Sequence, residues 1–153
     1  MSAAQNTVYP FIERVLMFWE AHDVPYLPGA SKAKIRSFEK SNGVSLPDDM
    51  QAFYLTTNGV RVPGSPEVDH DNYDFYPLDG LTRAERHPSM FYFANYLQYM
   101  WSFTVAVEGP HRGGVFVAPG GDEFIKVAST FGEFMELYVV DDQSLYPKSW
   151  GKK

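Results

Sequence analysis

Cysteine is missing from all 153 residues of this chain. Its absence excludes disulfides and thiolate metal ligation, and it fits a reducing cytoplasm. Long apolar runs are missing too: no stretch approaches the ~20 residues that a membrane-spanning helix needs. The opening residues, MSAAQNTVYP, lack the basic start and apolar run of a secretion signal. We therefore expect a soluble, cytoplasmic protein with no membrane association. Positive charge is sparse, with 13 Lys and Arg against 19 Asp and Glu for a net charge of −6. Nucleic-acid binders gather their bases in a stripe, because neutralised phosphates supply much of the affinity. Here the nearest approach to a patch is Lys32, Lys34, Arg36 and Lys40 in one predicted helix, read as a solvated face. Nucleic acid is not expected as a partner, whereas an acidic balance suits a basic protein.

Catalytic signatures are absent as well. The four histidines, His22, His70, His87 and His111, form no i, i+4 pair, no H-E-x-x-H and no H-x-H, so no metal is expected. There is no G-x-S-x-G elbow. Gly113-Gly114 and Gly120-Gly121 lack the spacing of a phosphate cradle and read as hairpin turns. No cofactor and no catalytic residue can be nominated, and an enzyme is not expected.

Aromatics, by contrast, are plentiful, at 12 Phe, 10 Tyr and 3 Trp. They supply apolar volume enough for one domain of this length, so residues 1–153 are expected to fold as a single unit. Val8, Phe11, Ile12, Val15, Leu16 and Trp19 recur at helical spacing, predicting a first helix over 8–22 that starts near Thr7 so that Pro10 falls in its first turn. Ser31 can cap a second helix, which Asn42-Gly43 stops. A third runs from Pro47, at a helix's first position, to Thr57, with Asp48 and Asp49 in the first turn and Asn58-Gly59 closing it.

After Gly59 the pattern changes. Residues 60–72 read as an irregular exposed loop, Tyr73–Leu78 as an edge strand because of Pro77, and Leu81–His87 as a helical turn. Leu97, Tyr99, Trp101, Phe103, Val105 and Val107 then alternate with smaller or more polar residues over eleven positions, the clearest strand signal in the chain. Its second face carries Met100 and Ala106, so partial cover is expected there too. Short turns lead to strands at 115–118 and 124–127, which implies antiparallel pairing. Thr130 and Glu133 form a T-x-x-E capping box for a last helix with Phe131, Phe134, Met135 and Tyr138 on its buried face. Tyr146 and Trp150 are possible anchors of a polar tail. The result is an α+β fold, with N-terminal helices packed on an antiparallel sheet and a capped C-terminal helix.

One pattern is more specific. F-E-x-x-x-G-x-x-L-P-x-D at Phe38–Asp49, followed by F-x-x-x-x-N-G at Phe53–Gly59, resembles the N-terminal signature of the SUKH superfamily. That superfamily includes bacterial toxin-immunity proteins and fungal Smi/Knr cell-wall regulators. Ile125–Ala128 followed by Ser129–Met135 resembles its strand, Ala, capped helix and Phe-x-x-Phe ending, and Phe93-Ala94 before a long strand fits its middle. The resemblance covers about residues 31–140, with a poor match at 60–90. Met50 stands where the family often has an aromatic. The shared residues explain folding: Leu46, Phe53 and Phe134 as core, Pro47 and Thr130 at helix starts. Function lives elsewhere on such a scaffold.

The resemblance implies a non-catalytic protein-binding domain, an immunity protein that neutralises a cognate toxin such as a nuclease. A regulatory interaction module of the fungal type is the alternative, and a hydrolase using its acidic loop is a third. The acidic stretch, Glu67, Asp69, His70, Asp71, Asp74 and Asp79, does not match a calcium loop: counted from Asp69, the twelfth position is Gly80. It reads as a solvated loop, as a docking surface for a basic partner, or as a hydrolytic carboxylate pair. These six residues are the candidate partner-binding site. The aromatic run from Phe91 to Phe103 reads as core or partner contact, because no basic groove accompanies it for base stacking.

Overall fold

The first apolar stripe forms helix α1, Pro10–Ala21, with Pro10 in its opening turn. The structure, a computed structural model, describes residues 9–60, 73–96, 101–118 and 123–145. Phe11, Ile12, Val15 and Trp19 are buried on one side of α1, as their spacing requires. Helix α2 spans Lys32–Asn42. The Ser31 hydroxyl accepts from the Lys34 amide at 3.1 Å, and Gly43 ends the helix in the left-handed region at φ 66°. Helix α3 spans Asp48–Thr56. Pro47 stands one place ahead of α3 with extended ψ, at the N-cap position instead of the first helical one, and makes no side-chain capping bond.

The chain leaves α3 through Thr57, which bridges to Pro28. Gly59 follows at φ 93°, where a Cβ would lie 2.7 Å from the Phe75 carbonyl oxygen. Only glycine fits there, because both the dihedral and the space exclude a side chain.

Among the described residues, six strands make one antiparallel sheet: β1 Tyr73–Phe75, β2 Thr82–Arg83, β3 Met90–Tyr96, β4 Trp101–Ala106, β5 Val115–Ala118 and β6 Ile125–Ala128. Its order is β1-β3-β4-β5-β6, and β2 shares the outer edge of β3 with β1. The edge strand expected over Tyr73–Leu78 is realised only at Tyr73–Phe75, since Leu78 already opens a 3₁₀ turn. The helical turn expected over 81–87 does not form. A 3₁₀ turn lies earlier, at Leu78–Gly80, and Thr82 and Arg83 pair with Tyr92 and Phe91. The open edge of β3 offers ladder hydrogen bonds that an isolated helical turn cannot match.

Register explains the two faces. Phe91, Val105 and Val115 stand in one cross-strand row, as do Phe103 and Val117, and all enter the main core. Tyr92, Thr104 and Phe116 form the alternate row on the other face. That face is covered too: Met90, Ala106, Phe116 and Ala84 make a smaller buried cluster. A register shift between Tyr92 and Ala94 turns Phe93 and Ala94 both into the main core. The alternation begins, within the described residues, at Trp101; its first four positions, 97–100, lie outside them.

Helix α4, Phe131–Val139, has the expected capping box. The Thr130 hydroxyl accepts from the Glu133 amide at 3.0 Å, and the Glu133 carboxylate accepts from the Ser129 amide at 2.7 Å. Helix α4 lies against α1. Phe11 meets Phe131 at 5.9 Å between ring centroids, Arg14 meets Glu136, and Trp19 meets Tyr138, so contacts advance together and the two helices run parallel.

Candidate docking surfaces

The acidic stretch divides in the structure. Tyr73 and Phe75 on β1 point into the core, so Asp74 between them faces the other side of the sheet. It is buried there, opposite Asn95 on β3. The Asn95 side-chain amide lies 3.4 Å from a carboxylate oxygen of Asp74 and donates to the Tyr76 hydroxyl at 2.9 Å. Asp74 therefore departs from the expected docking set: strand alternation assigns it to a buried polar group, out of a partner's reach. Asp79 is exposed on the Leu78–Gly80 turn. That turn is fixed, since the Leu78 amide donates to the Asn58 side chain at 2.7 Å and the Gly80 amide to the Pro77 carbonyl at 2.8 Å. Glu67, Asp69, His70 and Asp71 lie outside the described residues.

Among the described residues, the other titratable groups are not gathered into a centre. His22 lies at the end of α1 with Nδ1 2.9 Å from the Phe18 carbonyl oxygen. His87 packs on Phe124 at 4.4 Å, and His111 near Phe116 at 6.1 Å. Among the described residues no three His, Asp or Glu side chains converge as a metal site would require, and no helix is long and apolar enough to cross a membrane. Burial pushes the Tyr54 hydroxyl far above the ordinary tyrosine range, and it donates to the Tyr76 carbonyl at 2.8 Å, a structural role.

Among the described residues, two arginines brace loops and the lysines and arginine of α2 face solvent. Arg83 spans from the Pro88 carbonyl, 2.7 Å, to the Asn42 carbonyl at the end of α2, 2.5 Å, and lies over the Phe91 ring. Arg112 donates to the carbonyls of Val107 at 3.0 Å and Ser45 at 2.8 Å. Arg112 thereby ties the 108–114 loop to the segment after α2, beside a shallow cleft of about 630 Å³. Lys32, Lys34, Arg36 and Lys40 are exposed along α2, the solvated face that the sequence suggests.

The face shared by α1 and α4 is different. Arg14 holds both carboxylate oxygens of Glu136, with Nε at 2.7 Å and Nη2 on the second oxygen. Three residues past Arg14 stands Met17, and four past Glu136 stands Val140, each one turn along from the ion pair. They are 62% and 69% exposed, the two large apolar side chains so placed among the described residues. Glu13, Glu20, Glu133 and Asp141 are exposed on the same two segments. Sequence reading missed this face as a site. The signal was present, since Met17 falls off the stripe that buries Phe11, Val15 and Trp19.

The sequence model of the SMI1 / KNR4 family (SUKH-1) matches residues 29–137. No curated protein matches the chain significantly. The matched span begins after α1 and ends before Val140, so both exposed anchors fall outside it.

Proposed function

The chain belongs to the SMI1 / KNR4 family (SUKH-1), and from that premise we propose that it is an immunity protein, a single non-catalytic domain that binds a cognate toxin in the cytoplasm and blocks its site. The family match carries this reading, and the charge of the chain supports it. A net charge of −6 attracts a basic toxin domain such as a nuclease, which speeds encounter and selects partners. Inhibition follows from occlusion of the toxin's site. Asp79, with Glu67, Asp69 and Asp71, is proposed to contribute negative charge to the encounter, with His70 among them as a contact; Asp74, being buried, is not.

The test is affinity capture from the native lysate at low salt, with mass spectrometry of what co-purifies. A stoichiometric, small, basic, toxin-like domain released as salt rises is the expected result. Recovery of signalling or envelope-synthesis proteins would instead establish a regulatory module of the fungal type.

A further inference from the structure

We propose that the exposed face shared by α1 and α4, anchored by Met17 and Val140, is where a basic protein partner docks. This rests on the binding reading above and names its surface. A single exposed apolar side chain is ordinary, but Met17 and Val140 stand one turn beyond the same Arg14–Glu136 pair on neighbouring parallel segments, both pointing away from the core, so they form one apolar spot with a polar rim. The pair is also well mounted. Phe18 meets Tyr138 at 5.4 Å beneath it, and the Trp19 indole donates to the Tyr138 hydroxyl at 2.7 Å. Met17 thus sits on α1 and Val140 at the C-cap of α4, two helices locked together by a buried hydrogen bond, so little order is lost when a partner arrives.

Charge selects the occupant. Glu13, Glu20, Glu133 and Asp141 are exposed around the anchors, while the one guanidinium on this face, Arg14, is held by Glu136. The net field is negative. It complements a cationic protein surface and repels a second copy of this chain, whose matching face carries the same sign. Position in the chain agrees with a partner-specific role: Met17 and Val140 both lie outside the span 29–137 that defines the family scaffold.

The experiment replaces Met17, Val140 and, as a control on the opposite part of the molecule, Lys126, each in turn, with a photo-crosslinking residue in the full chain expressed in its native cell. Basic-protein adducts at positions 17 and 140 and none at 126 are expected. In parallel, Met17→Asp and Val140→Asp should each lower affinity for the crosslinked protein about tenfold or more, as interface anchors do, with an unchanged melting temperature. Adducts at 126 alone would overturn this surface while leaving the binding reading intact. Adducts to a second copy of the chain at 17 and 140 would make the face a self-association surface and overturn the proposal. Adducts nowhere would overturn the binding reading and this surface with it.

Discussion

Asp49, in the first turn of α3, accepts a 2.9 Å hydrogen bond from the backbone amide of Gly132, so one helix start caps another across 83 residues. Thr130 satisfies the Glu133 amide from the N-cap of α4, and Asp49 satisfies the Gly132 amide from a different helix. A Cβ on Gly132 would lie 3.0 Å from the Phe11 ring, so α1 closes over the same point. The spacing of L-P-x-D acquires a tertiary meaning here: its Asp reaches the helix that ends the family pattern.

Asp49→Ala removes that cap and should cost about 1 kcal/mol, in line with other lost helix caps. Asp49→Asn keeps an acceptor oxygen without its charge and should at least match the wild type at pH 7. Urea unfolding of the three proteins decides; equal midpoints for Ala and wild type would show that the contact carries no stability.

Burial lifts the Asp49 carboxyl above its ordinary 3.8, against hydrogen bonds from the Gly132, Met50 and Asp49 amides that pull it down. The folded state therefore holds this proton more tightly than the unfolded chain. Stability from this group is gained as pH falls through the raised value towards 3.8, and lost as pH rises through the same window. The advantage of Asp49→Asn over wild type should be greatest near neutrality and shrink on acidification. A gap independent of pH would contradict the titration.

Gly59→Ala combines a φ of 93° with a contact 2.7 Å from the Phe75 carbonyl. The left-handed backbone alone costs a β-carbon about 1–2 kcal/mol, so the variant should lose at least that much. Thermal melting reads it; a loss under a few tenths would mean that the turn relaxes freely.

Tyr138→Phe leaves the Trp19 indole N–H buried without its acceptor, and an unsatisfied buried donor costs about 1–3 kcal/mol. The double-mutant cycle with Trp19→Phe should show that the two changes are strongly coupled. Simple additivity would rule out the hydrogen bond as the source.

Asp69→Lys with Asp71→Lys, and separately Asp79→Lys, should weaken binding of a basic partner and steepen nothing in the melting curve. Cooperative loss of folding in the double variant would mean that Asp69 and Asp71 are structural.

Much of the fold was legible because its signals are local. Ser31, Gly43, Thr130 and Glu133 each fix a helix end through atoms within a few residues, and the α1 stripe depends only on period. What escaped depends on partners distant in sequence. Asp74 looks like any acid in an acidic stretch until β1 pairs with β3 and sets it against Asn95. Thr82 and Arg83 become a strand only because β3 leaves an edge open to them. Asp49 reads as a local dipole partner, and nothing near it in sequence announces Gly132. The candidate surface was half legible: Met17 sits visibly off the stripe, but the neighbouring Glu133 and Val140 come from the other end of the chain.

The parallel seam of α1 and α4 has a consequence for synthesis. Trp19 and Tyr138 are 119 residues apart, and their contact closes the core. At about 5–20 residues per second, translation leaves an interval on the order of ten seconds in which the first helix exists without its mate. During that time Phe11 and Trp19 can meet Phe53 but lack Phe131 and Tyr138, so their α4 side has no lasting cover. Any pause in synthesis between the emergence of α1 and the completion of α4 should therefore lengthen the exposure of this sticky N-terminal segment by the duration of the pause.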